Sequence, residues 1–183
     1  HTRALEDTES FFWTFCDDYI ELVKERANNR DGAFDEAESA SARAAVRIAL
    51  DVLLRLFAPF LPYATEEVWS WRHAKSVHRA TWPTRDELAS LPDGDPLVLT
   101  AVSQALAGVR RAKSEAKLGM RAEVTAMTLA GPAAALAAAT KGEADLRAAG
   151  RISAMTSVEE ETENGVLLVR DTELLAPPPK VKN

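Results

Sequence analysis

The stretch Asp93-Gly94-Asp95-Pro96 limits what this chain can fold into more than any other. Its first residues favour a turn. Its last two are a helix start: the Asp95 carboxylate is placed to cap an idle amide, and proline suits the first helical position because it has no amide to leave idle. No single helix or strand runs through such a sequence. Before it the chain is mainly helical in periodicity, with one extended stretch; after it the order reads helix, strand, helix, strand, strand. The expected organisation is therefore a helical bundle over residues 1–91, a small α/β subdomain over 92–176, and a Pro-rich exit linker over 177–183. The expected class is α+β: a mainly α-helical bundle followed by a small α/β subdomain with about three strands.

Residues 2–29 read as one helix, with Leu5, Phe12, Phe15, Cys16, Tyr19, Leu22, Val23 and Arg26 close to i, i+3, i+4, i+7 spacing. Asn28-Asn29-Arg30-Asp31-Gly32 supplies a turn, and the small, polar residues 33–41 read as a loop or an early helical turn. A second helix is expected from about Ser41 to Phe57, with Ala45, Ile48, Ala49, Val52, Leu53 and Leu56 on one face. Arg43, Arg47, Asp51 and Arg55 recur on another. Pro59 and Pro62 end it, and a third helix starts at Ala64 or Thr65 and reaches Trp71. Ser76 to Pro83 reads as extended, and Thr84-Arg85-Asp86-Glu87 has the capping-box form that opens a short helix.

After the dividing turn, Leu97, Val98, Ala101, Val102, Ala105, Leu106 and Val109 line the apolar face of a long helix. It ends in Arg110, Arg111, Lys113 and Lys117, cations that suit the negative end of the helix dipole. Glu123 to Leu129 is a strand ended by Gly131-Pro132. An alanine-rich helix spans roughly 132–149 with a break near Gly142. Arg151–Glu161 and Val166–Arg170 read as two strands of a hairpin turning at Asn164-Gly165.

Several function classes fall away. No apolar run reaches the ~18 residues of a membrane span, and no basic-then-apolar leader is visible, so the expected compartment is the cytoplasm. The single cysteine, Cys16, allows no internal disulfide, and three scattered histidines make no metal site. The chain opens on His1-Thr2-Arg3 rather than on Met, and a piece of a longer protein is expected. The net charge of −6 is unevenly spread. Residues 1–40 hold 11 acids and 4 bases, residues 72–85 hold 4 bases and no acid, and residues 108–121 hold 5 bases and 1 acid. A basic face can therefore sit on an acidic whole.

The stretch FFWTFCDDYIELVK (11–24) offers an acid pair and an aromatic cluster. Asp17 and Asp18 are adjacent, so a helix points them about 100° apart rather than at one reacting atom. Phe12, Phe15 and Tyr19 share a face and are expected in the core; Trp13 is offset and either packs or meets a partner. Arg43, Arg47 and Arg55 form a basic edge, read either as a solvated face with Asp51 or as phosphate contacts. The strongest cluster is Arg110, Arg111, Lys113, Lys117 and Arg121 around Gly119, read either as a dipole-compensating helix end or as a polyanion site.

Four stretches in order resemble the C-terminal region of the valyl-tRNA synthetase family. FFWTFCDDYIELVKERA is similar to its aromatic, Phe-Cys-Asp-x-Tyr helix, and LLRLFAPFLPYATEEVW (53–69) to its Pro-Phe-x-Pro and Thr-Glu-Glu-x-Trp segment. SVHRATWP (76–83) resembles the extended segment after it, and VRRAKSEAKLGMR (109–121) the basic helix end that opens the small α/β subdomain.

The resemblance implies the anticodon-binding region of a bacterial-type class I ligase that joins valine to its tRNA with ATP and Mg. The catalytic and editing domains, the earlier helices of the bundle and the terminal coiled coil would lie elsewhere in the parent. This segment alone would hold no cofactor and be inactive. The implied partners are tRNA(Val) and the other domains of the same synthetase, with no membrane, in a monomer. The tRNA-facing candidates are Arg43, Arg47, Arg110, Arg111, Lys113, Lys117, Arg121 and Trp13, their cations expected exposed. The alternatives are a structural spacer packing on the rest of the enzyme, or the equivalent region of an isoleucyl or leucyl relative. An independent helical enzyme is disfavoured, since no acid–base or metal set clusters in the sequence.

Overall fold

The computed structural model describes residues 2–176. His1 and the proposed exit linker 177–183 lie outside the described residues. The chain forms two compact units: residues 2–20 with 27–94, and residues 21–26 with 95–176.

In the first unit, helix α1 (Thr2–Thr14) runs into a π-helical segment, Phe15–Ile20; α2 (Glu21–Asn28) follows, most of it belonging to the second unit. A π segment winds less per residue than the ~100° of an α-helix, so α-helical spacing no longer keeps side chains on one face. This corrects the expected core face. Phe12 turns edge-on to Phe57 at 5.5 Å, while Phe11, Phe15 and Tyr19 form a stacked ladder with centroids 5.9 and 5.3 Å apart. Phe12, Phe15 and Tyr19 are half-buried rather than in the core. The turn after α2 is held by Asn29, whose side-chain amide donates to the Phe34 carbonyl and accepts from the Phe34 amide.

Helix α3 (Glu36–Phe57) begins five residues before the expected Ser41. The reason is a capping box: the Asp35 carboxylate accepts from the Glu38 amide, and Glu38 accepts from the Asp35 amide. Pro62 does not delay α4 (Pro62–Ser70) but starts it at the first helical position. Val77–Arg79 is a 3-10 turn capped by Ser76, not an extended segment, and Arg85–Leu88 is a 3-10 turn with the Thr84/Glu87 capping box. The small core here is Ala58, Trp69 and Val77, with Leu54 against it.

In the second unit, α5 (Pro96–Glu115) starts at the Asp95 cap. Strand β1 (Glu123–Gly131) is followed by α6 (Ala133–Lys141), α7 (Glu143–Gly150), β2 (Ile152–Glu159) and β3 (Leu168–Leu175). The sheet order is β2-β1-β3: β2 parallel to β1, β3 antiparallel to it. This corrects the expected hairpin. Asn164 and Gly165 do take positive φ, but β2 and β3 never pair with each other. The connection, residues 160–167, is long enough to step across two strand spacings of about 4.8 Å each. It thereby puts a strand on each edge of β1, whose Val124, Met127, Leu129 and Ala130 are buried.

Helix α5 packs on α6, α7 and β3, burying Ala101, Val102, Ala105, Leu106 and Val109. Gly108 permits the close approach to β3: a Cβ there would lie 2.6 Å from Val169 Cγ2. Residues 21–26 bring buried Leu22 and Val23, and Arg26 grips Asp145 bidentately at 2.8 and 2.9 Å.

Candidate nucleic-acid interface

The basic end of α5 is built on a helix stop. The Leu118 amide donates to the Lys113 carbonyl and the Lys117 amide to the Ser114 carbonyl, each at 2.9 Å. These are the two bonds of a Schellman turn, and Lys117 takes its left-handed position at φ 55°. The last carbonyls of the helix are thus satisfied by backbone, which leaves side chains free to face water. Arg111, Lys117 and Arg121 are exposed and make no ion pair among the described residues. Arg110 is half-buried and lies 3.3 Å from Glu21.

Lys113 does not belong to that surface. It is 2% exposed, and its ammonium donates to the carbonyls of Met120 at 3.1 Å and Gly150 at 2.8 Å. Burial pushes its pKa down, and Arg151 adds to the effect. The expectation of an exposed, tRNA-facing Lys113 is therefore corrected. The signal was in the sequence: Lys113 stands four residues beyond Val109, on the stripe that Val102 and Leu106 continue.

On α3, Arg47 is exposed and makes no ion pair among the described residues. Arg43 is exposed but tied to Glu36 and to the Ala27 carbonyl. Arg55, part of the same basic edge, is mostly buried and acts as a clamp. It binds Glu87 through two bonds of 3.1 and 2.7 Å and also donates to the Thr81 carbonyl. Trp13 is 60% exposed and Phe11 52%.

A second surface in the first unit lies over the basic run 72–85, which the sequence marks but from which no candidate residue was drawn. Tyr63, Trp71 and Trp82 are exposed, and Lys75, Arg79 and Arg85 are exposed without an ion pair among the described residues. The signal was the acid-free run of bases over 72–85. Among the described residues no group of His, Cys, Asp or Glu is arranged to hold a metal, and no helix is long and apolar enough to cross a membrane.

A helical unit with exposed aromatic rings and a small α/β unit, both with surface cations that make no ion pair among the described residues, define a nucleic-acid-binding class of module. The model of the anticodon-binding domain of tRNA ligases matches residues 2–128, and the chain belongs to that family. The valine–tRNA ligase of Thermobifida fusca is 55% identical over 175 residues, covering 95% of this chain and 19% of the relative. That of Cutibacterium acnes is 47% identical over 182 residues, covering 100% of this chain and 20% of the relative. That of Bifidobacterium longum (strain NCC 2705) is 41% identical, covering 98% and 22%. The chain thus spans about a fifth of the length of these curated relatives.

Proposed function

We propose that this chain is the anticodon-binding, tRNA-binding part of a valine–tRNA ligase, helping to recognise tRNA(Val) during ATP-dependent aminoacylation. The observation that carries this reading is the similarity to valine–tRNA ligases over nearly the whole chain. The helical residues up to 91 serve as the anticodon-binding portion, with residues 92–176 as the subdomain that follows. Anticodon bases are unpaired, so they can be splayed, stacked and read on their edges while cations hold the phosphates. Arg111, Lys117, Arg121 and Arg47 are free for that task, with Arg110 and Arg43 reachable by exchange of a carboxylate for a phosphate. The parent ligase works in the cytoplasm as a monomer, with tRNA(Val) and its own other domains as partners.

The test is made in the full-length ligase. Charge reversal at Arg110, Arg111 and Lys117, leaving Lys113 intact, is expected to raise KM for tRNA(Val) roughly tenfold or more with little change in kcat. Unchanged kinetics would remove this patch from the interface. A copy of tRNA(Val) with an altered anticodon should lose affinity for the unmodified ligase; equal affinity for both would leave only nonspecific attraction.

A second reading has its own support. Exposed Phe11 and Trp13 fit a face that packs on other domains of the parent. Under it, Phe11→Ser with Trp13→Ser lowers the ligase's thermal stability and leaves tRNA affinity alone; a loss of affinity without destabilisation assigns Trp13 to RNA.

A further inference from the structure

The first unit holds a cavity of about 320 Å³, lined by Trp69, His73, Lys75, Ser76 and Arg79 with two alanines. That volume lies at the small end of ligand sites, near ~300 Å³. Its wall is braced from below. The buried Trp69 indole donates to the Lys75 carbonyl at 2.7 Å. One carboxylate oxygen of Glu66 accepts from both the Ser76 hydroxyl and the Val77 amide, each at 2.9 Å. His78 donates from its ring to the Pro62 carbonyl at 3.2 Å, holding the 3-10 turn on the start of α4.

His73 lies flat on Trp69, ring centres 3.7 Å apart and planes 14° from parallel, and its side chain is one-third exposed. A two-ring stack thus ends on a partly open imidazole. Asp51 stands 3.4 Å from that ring, but Arg72 at 3.3 Å offsets its charge. Lys75 and Arg79 are exposed and make no ion pair among the described residues. They belong to the acid-free run of four bases in a chain of net charge −6.

We propose that this cavity takes one unpaired nucleotide of an RNA strand, the base extending the Trp69–His73 stack and Lys75 and Arg79 holding the adjoining phosphates. Flat aromatic faces accept any base, and a positively charged rim tracks the backbone without reading sequence. Because the loop is already held by Trp69 and Glu66, little ordering is needed on binding. The site deepens the tRNA-binding reading and rests on it only for where the strand comes from.

The test titrates the 183-residue chain with a short single-stranded RNA of mixed sequence, with the matching duplex, and with inorganic phosphate, read by fluorescence anisotropy or calorimetry. His73→Ala is expected to weaken single-strand binding roughly tenfold and leave duplex binding unchanged, whereas His73→Phe, which keeps a stacking face, retains it. Lys75→Ala with Arg79→Ala is expected to lower the salt slope by about 1.4, at ~0.7 per neutralised phosphate on a single strand. The proposal is overturned if both sets leave single-strand affinity unchanged, or if single strand and duplex bind equally and His73→Ala has no effect. Should His73→Ala fail to fold, the exposed Lys75/Arg79 pair and His73→Phe decide. The RNA carries no valine anticodon, so its result is independent of the ligase assay above.

Discussion

At the residue scale, Lys117 sits at the left-handed position that glycine normally fills at a helix stop. A side chain there costs roughly 1–2 kcal/mol in an L-residue, part of which glycine regains in the unfolded chain. Lys117→Gly is therefore expected to stabilise the protein by about 0.5–1 kcal/mol in urea denaturation while weakening tRNA binding. A residue whose replacement improves stability and impairs binding is held for the binding. Lys113 is expected to behave in the opposite way. Lys113→Met leaves the Gly150 carbonyl without its buried donor and removes the bond to the Met120 carbonyl, a loss of about 2 kcal/mol, without moving the salt slope of RNA binding. Lysines four residues apart at one helix end thus divide into a buried strut and an exposed cation. A salt slope that falls with Lys113→Met would return that residue to the interface.

At the element scale, Glu87 joins two jobs. It closes the capping box of the Arg85–Leu88 turn and takes both bonds from Arg55 of α3. The Arg55 hydrogen bonds, and then the Thr84 amide, hold its carboxyl below the ordinary value of 4.5. A folded-state pKa below the unfolded one contributes stability above the unfolded value, and that contribution is lost as pH falls through the folded value. Glu87→Gln is therefore expected to lower stability near neutral pH and to flatten the acid limb below pH ~4, where the natural protein loses the same contribution. Tryptophan-monitored denaturation across that range checks it, and parallel acid limbs for the two proteins would show that the clamp is not what titrates. The capping motifs that place this turn, α3 and α5 are all written locally as Asp or Thr with Glu or Pro nearby. That is why α5 starts where the sequence puts it, and why the late expected start of α3 traces to one unread box at Asp35 and Glu38.

At the scale of the whole molecule, an acidic chain of net charge −6 carries its free cations in short runs. Binding should therefore depend on local phosphate neutralisation and fall steeply with salt. Replacing Arg47, Arg111, Lys117 and Arg121 by alanine in the full ligase is expected to lower the salt slope of tRNA binding by ~0.7–0.9 for each phosphate that a cation no longer neutralises. An unchanged slope would place the RNA elsewhere on the ligase. The sequence by itself determined most of the elements, the start of α5 and the family, because caps, periodicity and motif order are properties of neighbouring residues. Only the tertiary structure decided which strands pair, that Arg55 is a clamp, and that His73 lies on Trp69. Each of those depends on which distant surface a side chain meets, and burial and strand pairing are settled by the competition among all such surfaces at once.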